Sequence, residues 1–268
     1  MKSFLTRLTS GIVLVFLVVV TCWYGGLLLG LFTALIGWIG LDEFYRAFGM
    51  RVTRGIGLVG LLGAFLWNAA VLATAGGMGD PEYKWLGLLV SFMLLMAVYV
   101  GTFPRYDTGQ VMTVFFGIVY VPVMLSFIYL TRMLEVGFSL VWLIFFASWG
   151  CDTCAYCTGM LFGKHKLAPV LSPKKSVEGA VGGVLGAAAM GAAYAVFMDA
   201  PAPVYGIICA VGAAASQAGD LAASAVKRQH NMKDYGTLIP GHGGILDRFD
   251  SVIVTAPMIY ILAVVLVR

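Results

Sequence analysis

Long stretches without a charged side chain constrain the fold of this chain more than any other feature. The first runs from Leu8 to Leu41. A helix that crosses a bilayer needs about 20 mostly apolar residues, because the hydrocarbon core is about 30 Å thick. The stretch is too long for one ordinary span, and the turn signal at Tyr24, Gly25 and Gly26 divides it into two helices.

Further apolar segments of similar length follow along the chain. They are Gly55–Ala75, Trp85–Thr102, Val111–Thr131, Phe138–Phe162, Val177–Met198, Val204–Val226 and Val252–Val267. Of the 268 residues, 60% are hydrophobic and only 11% are charged, which is far from the balance of a soluble domain. We therefore predict an all-α, polytopic integral membrane protein with about nine transmembrane helices, folded as one membrane domain over residues 1–268.

The N-terminus could be mistaken for a cleaved secretory signal, because Lys2 and Arg7 precede the apolar stretch Ile12–Val20. The small residues of a cleavage site are missing after that stretch, however, and Thr21 before Cys22 fits a lipoprotein cleavage site poorly. We interpret this segment as the first span.

The basic residues predict that the N-terminus is cytoplasmic, because lysine and arginine near span ends stay on that side. Only Lys84, Arg132 and Arg268 fall on the other side. The net charge of +4 is then explained mainly by the orientation of the chain in the membrane, and it gives no reason to expect a nucleic-acid partner. Basic residues near a cytoplasmic leaflet also suit anionic lipid headgroups. The cytoplasmic set is Lys2, Arg7, Arg46, Arg51, Arg54, Arg105, Lys164, Lys166, Lys174, Lys175, Lys227, Arg228, Lys233 and Arg248.

Three of the five cysteines, Cys151, Cys154 and Cys157, have a spacing that suggests zinc. On a helix, residues at i, i+3 and i+6 climb about 9 Å and fan over about 120°, so their sulfurs do not converge on one ion. Small, polarizable packing residues are the better interpretation.

The two halves of the chain differ in where their charges lie. In residues 1–136 the charges lie near span ends, whereas Asp152 and Asp220 in residues 137–268 interrupt apolar helices. Polar residues at such depth are costly and usually functional, so we predict N-terminal transmembrane helices followed by a catalytic region with cytoplasmic loops. Glycine and alanine dominate Gly179–Ala195 and Gly206–Ala223, which favours close helix packing and leaves a homodimer open.

Polar residues near the end of the eighth span form the first candidate site. On a helix, Asp220, Ser224 and Lys227 share one face at i, i+4 and i+7. An intrahelical ion pair that neutralises Asp220 is an equally good interpretation of these residues alone.

The second candidate site is a polar, glycine-rich loop before the last span. It contains Gly241, His242, Gly243 and Gly244, whose backbone amides could face phosphate oxygens. Two aspartates and an arginine follow it, and together they suit a nucleoside triphosphate held with Mg²⁺. There is no GxxxxGK[ST] pattern, so this is not a P-loop site. These three residues are Asp247, Arg248 and Asp250.

At these residues the sequence resembles the phosphatidate cytidylyltransferase family. The signature residues are Ser224, Lys227, Arg228, Lys233, Asp234, Gly236, Pro240, His242, Gly243, Gly244, Asp247, Arg248 and Asp250. A second stretch resembles the same family at Asp152, Thr153, Ala155, Tyr156, Gly159, Phe162, Gly163, Lys164, Lys166, Leu167, Pro169, Ser172, Pro173, Lys175, Ser176, Glu178 and Gly179.

The resemblance implies that CTP and phosphatidic acid react to give CDP-diacylglycerol and pyrophosphate. As a hypothesis, we expect Asp220 and Asp247 to bind Mg²⁺, with a second cation left open, and Lys227 and Arg248 to complete the catalytic set. His242 either contacts phosphate or braces the loop. The expected substrate-binding residues are Ser224, Arg228, Lys233, His242, Gly243, Gly244, Lys164, Lys175, Ser176 and Asp152.

Two alternatives remain at this point. Another lipid enzyme that uses CTP, such as a polyprenol kinase or an ether-lipid cytidylyltransferase, could share the fold and the metal site. A transporter also uses buried carboxylates and glycine-broken helices, but it usually places its site near the midplane. The polar residues here cluster toward one predicted face, so we expect a multi-pass protein of the inner cell membrane with its active site facing the cytoplasm.

Overall fold

A computed structural model describes residues 2–78, 80 and 82–267 of the chain. Met1, Gly79, Pro81 and Arg268 lie outside the described residues, so the predicted placement of Arg268 does too. Within the described part, nine helices are long and apolar enough to cross a membrane. The prediction of an all-α, multi-pass membrane protein is confirmed, while the orientation of its N-terminus stays a prediction.

The chain forms two compact units, and each is described by itself. The first unit contains Met1–Met133 and Met232–Arg248, and the second contains Leu134–Asn231 and Phe249–Arg268. The helices of the first unit are α1 (Lys2–Tyr24), α2 (Gly26–Ala47), α3 (Ile56–Ala75), α4 (Tyr83–Gly101), α5 (Thr108–Ile118) and α6 (Met124–Arg132).

The long N-terminal apolar stretch is divided at Gly25, as predicted. Gly25 has φ 65° and Gly26 has φ 52°, a region that glycine adopts without the steric cost of a Cβ. The break therefore separates α1 from α2 and gives two spans. Near it, the guanidinium Nε of Arg132 donates a hydrogen bond to the Cys22 carbonyl at 3.1 Å.

The fifth span is one continuous helix with a π-helical segment, Val119–Val123, between α5 and α6. Pro122 lies inside this segment, and its missing N–H removes one helical hydrogen bond. Gly37 of α2 packs against it, since a Cβ at Gly37 would lie 3.2 Å from the Pro122 Cα. Proline thus explains a local change of helix type that hydropathy alone does not predict.

The second unit contains helices and a small β-hairpin, which packs against the helices that flank it in sequence. The elements are α7 (Gly137–Phe145), a π-helical segment (Phe146–Gly150), α8 (Cys151–Phe162), β1 (Lys166–Ala168), β2 (Ser172–Ser176), α9 (Val177–Phe197), α10 (Ala202–Gln229) and α11 (Leu246–Leu266), of which Leu246–Arg248 belongs to the first unit. The strands are antiparallel, with Lys166 opposite Ser176 and Ala168 opposite Ser172. The sequence analysis missed this hairpin, in which Pro173 is accommodated because a two-stranded sheet leaves edges without ladder partners.

Small residues bring α8, α9 and α10 close together. A Cβ at Gly183 of α9 would lie 2.9 Å from the Cys151 carbonyl oxygen, and one at Gly191 would lie 2.8 Å from the Tyr205 carbonyl oxygen. Glycine therefore serves close packing within the chain at these positions. A homodimer through the same kind of surface stays a prediction.

The cysteines are reduced and do not share one environment. Cys151 and Cys209 are buried, whereas Cys157 is exposed. Cys151 packs beside Gly183, which agrees with its interpretation as a small packing residue. In the described part of the chain, no three side chains of histidine, cysteine, aspartate or glutamate are grouped so that they could hold one metal ion.

The last helix begins earlier than the apolar pattern predicts. The predicted start is Val252, but α11 begins at Leu246 and includes Asp247, Arg248 and Asp250 in its first turns. Asp247 and Asp250 therefore lie about one turn apart on this helix. The Glu43 carboxylate accepts the N–H groups of Ile245 and Leu246, which stabilises a helix start in this polar sequence.

We expect Gly183→Ala to lower the free energy of unfolding by about 1–3 kcal/mol, because its Cβ would press on the backbone of α8. The matched control is Gly206→Ala, whose Cβ would make an ordinary contact at 3.4 Å with the Ala188 carbonyl oxygen. Thermal unfolding of both purified variants in detergent measures the difference. Equal destabilisation by the two substitutions would contradict this account of the packing.

Candidate active site

A cavity of about 410 Å³ in the second unit brings residues of the stretch Asp152–Gly179 together with Gln217 and Asp220 of α10. It lies among α8, β2, α9 and α10, and its walls include apolar side chains such as Leu167. Polar groups concentrated in an otherwise apolar membrane domain are the usual mark of a functional site. The polar side chains that line it are Asp152, Tyr156, Lys174, Lys175, Ser176, Gln217 and Asp220.

Two of the residues that line this cavity, Lys175 of β2 and Asp220 of α10, form an ion pair. The two side chains are 27% and 22% exposed, so the pair is more shielded from water than a surface salt bridge. The Asp220 carboxylate therefore already interacts with a cation. This partner is 45 residues away in sequence and lies on another element, so it is not the intrahelical pair that the sequence left open.

A second ion pair joins the end of α10 to the start of α11. Lys227 Nζ lies 3.5 Å from Asp250 Oδ2, and both side chains are 13% exposed. The Asp250 carboxylate is also within electrostatic range of Asp220 and Asp152. The second unit thus contains two lysine–carboxylate ion pairs, and lysines of this kind can bind phosphate groups.

The hairpin that carries Lys175 is anchored to the start of α9. The Glu178 carboxylate accepts hydrogen bonds from the backbone N–H of Lys164 at 3.0 Å and of His165 at 3.2 Å. Ser176 is the N-cap of α9, and its hydroxyl oxygen accepts the Gly179 N–H at 3.1 Å. These contacts fix the strand position from which Lys175 reaches Asp220.

In the first unit, Asp247 organises the glycine-rich loop. Its Oδ2 atom accepts the backbone N–H of Tyr235 at 2.8 Å and of Gly244 at 2.9 Å. Gly243 between them has φ 88°, and a Cβ there would lie 2.7 Å from the same oxygen. Gly243 is therefore required both by its backbone conformation and by the close approach of a carboxylate.

His242 contacts Ser10 in the N-terminal half of α1. Its Nδ1 lies 2.9 Å from the hydroxyl oxygen of Ser10, which also donates to the Pro240 carbonyl at 3.1 Å. Partial burial, then the nearby guanidinium groups of Arg248 and Arg7, lower the pKa of His242 below its usual value. The ring is therefore neutral at pH 7 and braces the loop, while its direct contact with phosphate stays a prediction.

Comparison with known proteins identifies the group to which the chain belongs. The sequence profile of the Cytidylyltransferase family matches residues 5–266. The chain belongs to the cytidylyltransferase family. The family resemblance found at Asp152–Asp250 is thus confirmed, and the match also covers the N-terminal helices.

Several relatives are named phosphatidate cytidylyltransferase. The chain is 33% identical over 242 residues to the one from Staphylococcus saprophyticus, which covers 90% of this chain and 91% of the relative. It is 32% identical over 242 residues to the one from Staphylococcus epidermidis, with the same coverage. It is also 32% identical over 243 residues to the one from Staphylococcus aureus, again with 90% and 91% coverage.

The remaining residues predicted for the site lie on α10, on α11, in the glycine-rich loop and between α8 and β1 of this cytidylyltransferase family member. Ser224 and Arg248 are half-buried, whereas Arg228, Lys233 and Lys164 are exposed. Asp220 and Asp247, the predicted metal ligands, belong to the second and the first unit respectively. Their shared role in metal binding, and the substrate contacts of the other residues, stay predictions.

Sequence reasoning missed two polar residues at these sites. Gln217, one residue after the buried Ser216, lines the cavity and donates from Nε2 to the Ala180 carbonyl at 2.9 Å. Glu43 is only 5% exposed and accepts the backbone N–H groups of Ile245 and Leu246. The available signal for Glu43 was an acidic residue inside a membrane helix, but the predicted span ended at Leu41, so it was treated as a flanking charge.

The lowered pKa of His242 predicts how stability depends on pH. The folded protein disfavours the protonated ring, so His242 contributes stability that is present above its usual pKa of about 6.5 and lost as the pH falls. We expect the native protein to lose more thermal stability than His242→Asn between pH 7.5 and pH 5. The control is His230→Asn, which removes an exposed histidine and should leave the native pH dependence. An identical pH dependence in His242→Asn and the native protein would contradict this assignment.

Proposed function

We propose that this chain is a phosphatidate cytidylyltransferase, which transfers CMP from CTP to phosphatidic acid in phospholipid biosynthesis. The observation that carries the proposal is the family match over residues 5–266, with relatives of that name aligned over 90% of the chain. The cavity lined by Lys175 and Asp220 supports the proposal, because charged residues lie together there inside an apolar domain.

The reaction needs no covalent intermediate with the enzyme. An oxygen of the phosphatidate phosphate attacks the α-phosphorus of CTP in line, and the bond from that phosphorus to the oxygen bridging the β-phosphate breaks. CDP-diacylglycerol forms and pyrophosphate leaves with the bond electrons. The phosphatidate phosphate is already ionised near neutral pH, so a strong general base is not required.

The lysines and arginines of both units are proposed as the phosphate-binding groups. Lys175 and Lys227 lie in partly buried ion pairs, and this shielding strengthens their interaction with an incoming anion. Arg228, Lys233 and Arg248 are the further candidates for phosphate binding. Backbone N–H groups of a glycine-rich loop supply further donors for phosphate oxygens.

We also propose Mg²⁺ as the cofactor, with Asp220 and Asp247 as its ligands and a second cation left open. The residues fit this ion, because the donors are carboxylate oxygens and the Asp220 carboxylate already pairs with a cation, the Lys175 ammonium. Mg²⁺ is usually held by one or two carboxylates together with waters and substrate phosphates. When bound, it would offset the negative charge of the triphosphate.

We propose a cytoplasmic N-terminus and an active site that faces the cytoplasm of the inner cell membrane. The support is the distribution of lysine and arginine along the chain, which follows the positive-inside rule with this orientation. CTP is a cytoplasmic substrate, so a site on that face agrees with the proposed reaction. The family match favours this enzyme over the transport alternative.

An assay of CDP-diacylglycerol formation tests the proposal. We expect purified native protein in detergent to make the product from CTP and phosphatidic acid with Mg²⁺ present, and to make none when Mg²⁺ is chelated. Asp220→Asn and Asp247→Asn should each lower kcat/KM by about 100-fold or more, because each removes a carboxylate charge from the site.

The matched control is Asp199→Asn, in the exposed turn between α9 and α10. Its φ of 51° suits asparagine as well as aspartate, so the control should keep native activity. A folded native protein that makes no CDP-diacylglycerol would contradict the function. Native activity in Asp220→Asn would contradict the site.

A further inference from the structure

Glu43, on the second helix, contacts the loop through main-chain hydrogen bonds. Its Oε1 accepts the N–H of Ile245 at 3.0 Å and its Oε2 accepts the N–H of Leu246 at 2.8 Å. The residue is 5% exposed and lies 202 residues before Ile245 in sequence. Both oxygens of one buried carboxylate are thus used at the start of α11.

These hydrogen bonds satisfy groups that a helix leaves without partners. The first N–H groups of a helix have no acceptor within it, and its N-terminus carries a partial positive charge. A carboxylate there forms charge-assisted hydrogen bonds, which are stronger than neutral ones. The buried Glu43 carboxylate therefore stabilises the conformation at the start of α11.

Glu43 and Asp247 act on the same short segment. Asp247 accepts the N–H groups of Tyr235 and Gly244, while Glu43 accepts those of the next two residues, Ile245 and Leu246. Three successive backbone amides, from Gly244 to Leu246, are therefore oriented by two carboxylates. The loop conformation follows from these contacts rather than from its glycines alone.

The glycines next to Glu43 show how closely it approaches the loop. A Cβ at Gly236 would lie 2.5 Å from Glu43 Oε1, and a Cβ at Gly244 would contact both carboxylate oxygens. No side chain fits at either position unless Glu43 moves. Gly236 and Gly244, two glycines of the signature, therefore leave the space that the Glu43 carboxylate occupies.

We propose that Glu43 is a positioning residue of the nucleotide site. By fixing the first turn of α11, it holds Asp247 and the glycine-rich loop around Gly243 in the conformation that binds CTP. This role rests on the proposed function, because it assumes that the loop binds the triphosphate. Glu43 itself touches backbone rather than substrate, so its effect on the reaction is indirect.

The test is Glu43→Gln, which keeps the shape of the side chain but replaces one acceptor oxygen with an NH₂ donor. That donor would face the N–H of Ile245 or Leu246, so one hydrogen bond is lost and the loop is released. We expect the KM for CTP to rise about tenfold, with the KM for phosphatidic acid unchanged. Hydrogen exchange of residues 236–248 should become about tenfold faster.

The matched control is Thr33→Val on the same helix. Thr33 is 3% exposed, and its hydroxyl donates at 3.0 Å to Gly30 within α2, so its loss tests a buried hydrogen bond away from the loop. The control should keep native KM values and native exchange in residues 236–248. The same rise in the KM for CTP in Thr33→Val would overturn the proposal.

The outcomes separate this proposal from the proposed function. A native protein that makes no CDP-diacylglycerol contradicts the function, and loop exchange in Glu43→Gln still reports whether Glu43 holds the loop. Unchanged exchange overturns the positioning role. A fall in kcat with both KM values and the loop exchange unchanged also overturns it, because that pattern reflects only a smaller folded fraction.

A second variant covers the case in which Glu43→Gln does not fold. Gly236→Ala keeps Glu43 but presses on its carboxylate, and the backbone there is not in a conformation reserved for glycine. We expect it to raise the KM for CTP and to speed exchange of the loop. A normal KM and normal exchange in folded Gly236→Ala would overturn the proposal.

Discussion

The need to pair every polar group inside an apolar membrane domain determines much of this structure. Water is scarce there, so a buried carboxylate or amide without a partner is costly. Asp220 is paired with Lys175, Asp250 with Lys227, and the carboxylate of Asp247 with backbone amides. The same pairs that make these charges tolerable also hold them in fixed positions, which is what a reaction between two highly charged substrates requires.

Much of the membrane architecture could be predicted from the sequence, because the thickness of the bilayer sets the length of every spanning helix. Apolar segments of that length gave nine spans, and Gly25 marked the break between the first two. The β-hairpin and the early start of α11 could not be predicted in this way. Both depend on contacts of polar segments, such as the anchoring of the hairpin by Glu178, and hydropathy does not describe these contacts.

The candidate site could be predicted only where its residues are close in sequence. Helical spacing placed Asp220 and Lys227 on one face, and the glycine-rich loop was visible as a motif. The partners of these residues were not visible, because Lys175 lies 45 residues from Asp220 and Glu43 lies 202 residues from Ile245. Helical periodicity predicts which residues lie close together within one helix. It does not predict which segments that are distant in sequence come into contact.

In the proposed reaction a cytidylyl group, rather than a terminal phosphate, passes from CTP to a lipid phosphate. The most direct measurement follows label from CTP carrying radioactive phosphorus at either the α or the γ position into the lipid product of the purified protein. Cytidylyl transfer predicts labelled lipid from α-labelled CTP alone, with the γ label released in pyrophosphate. Lipid labelled from the γ position would indicate a kinase, and that result would contradict cytidylyl transfer.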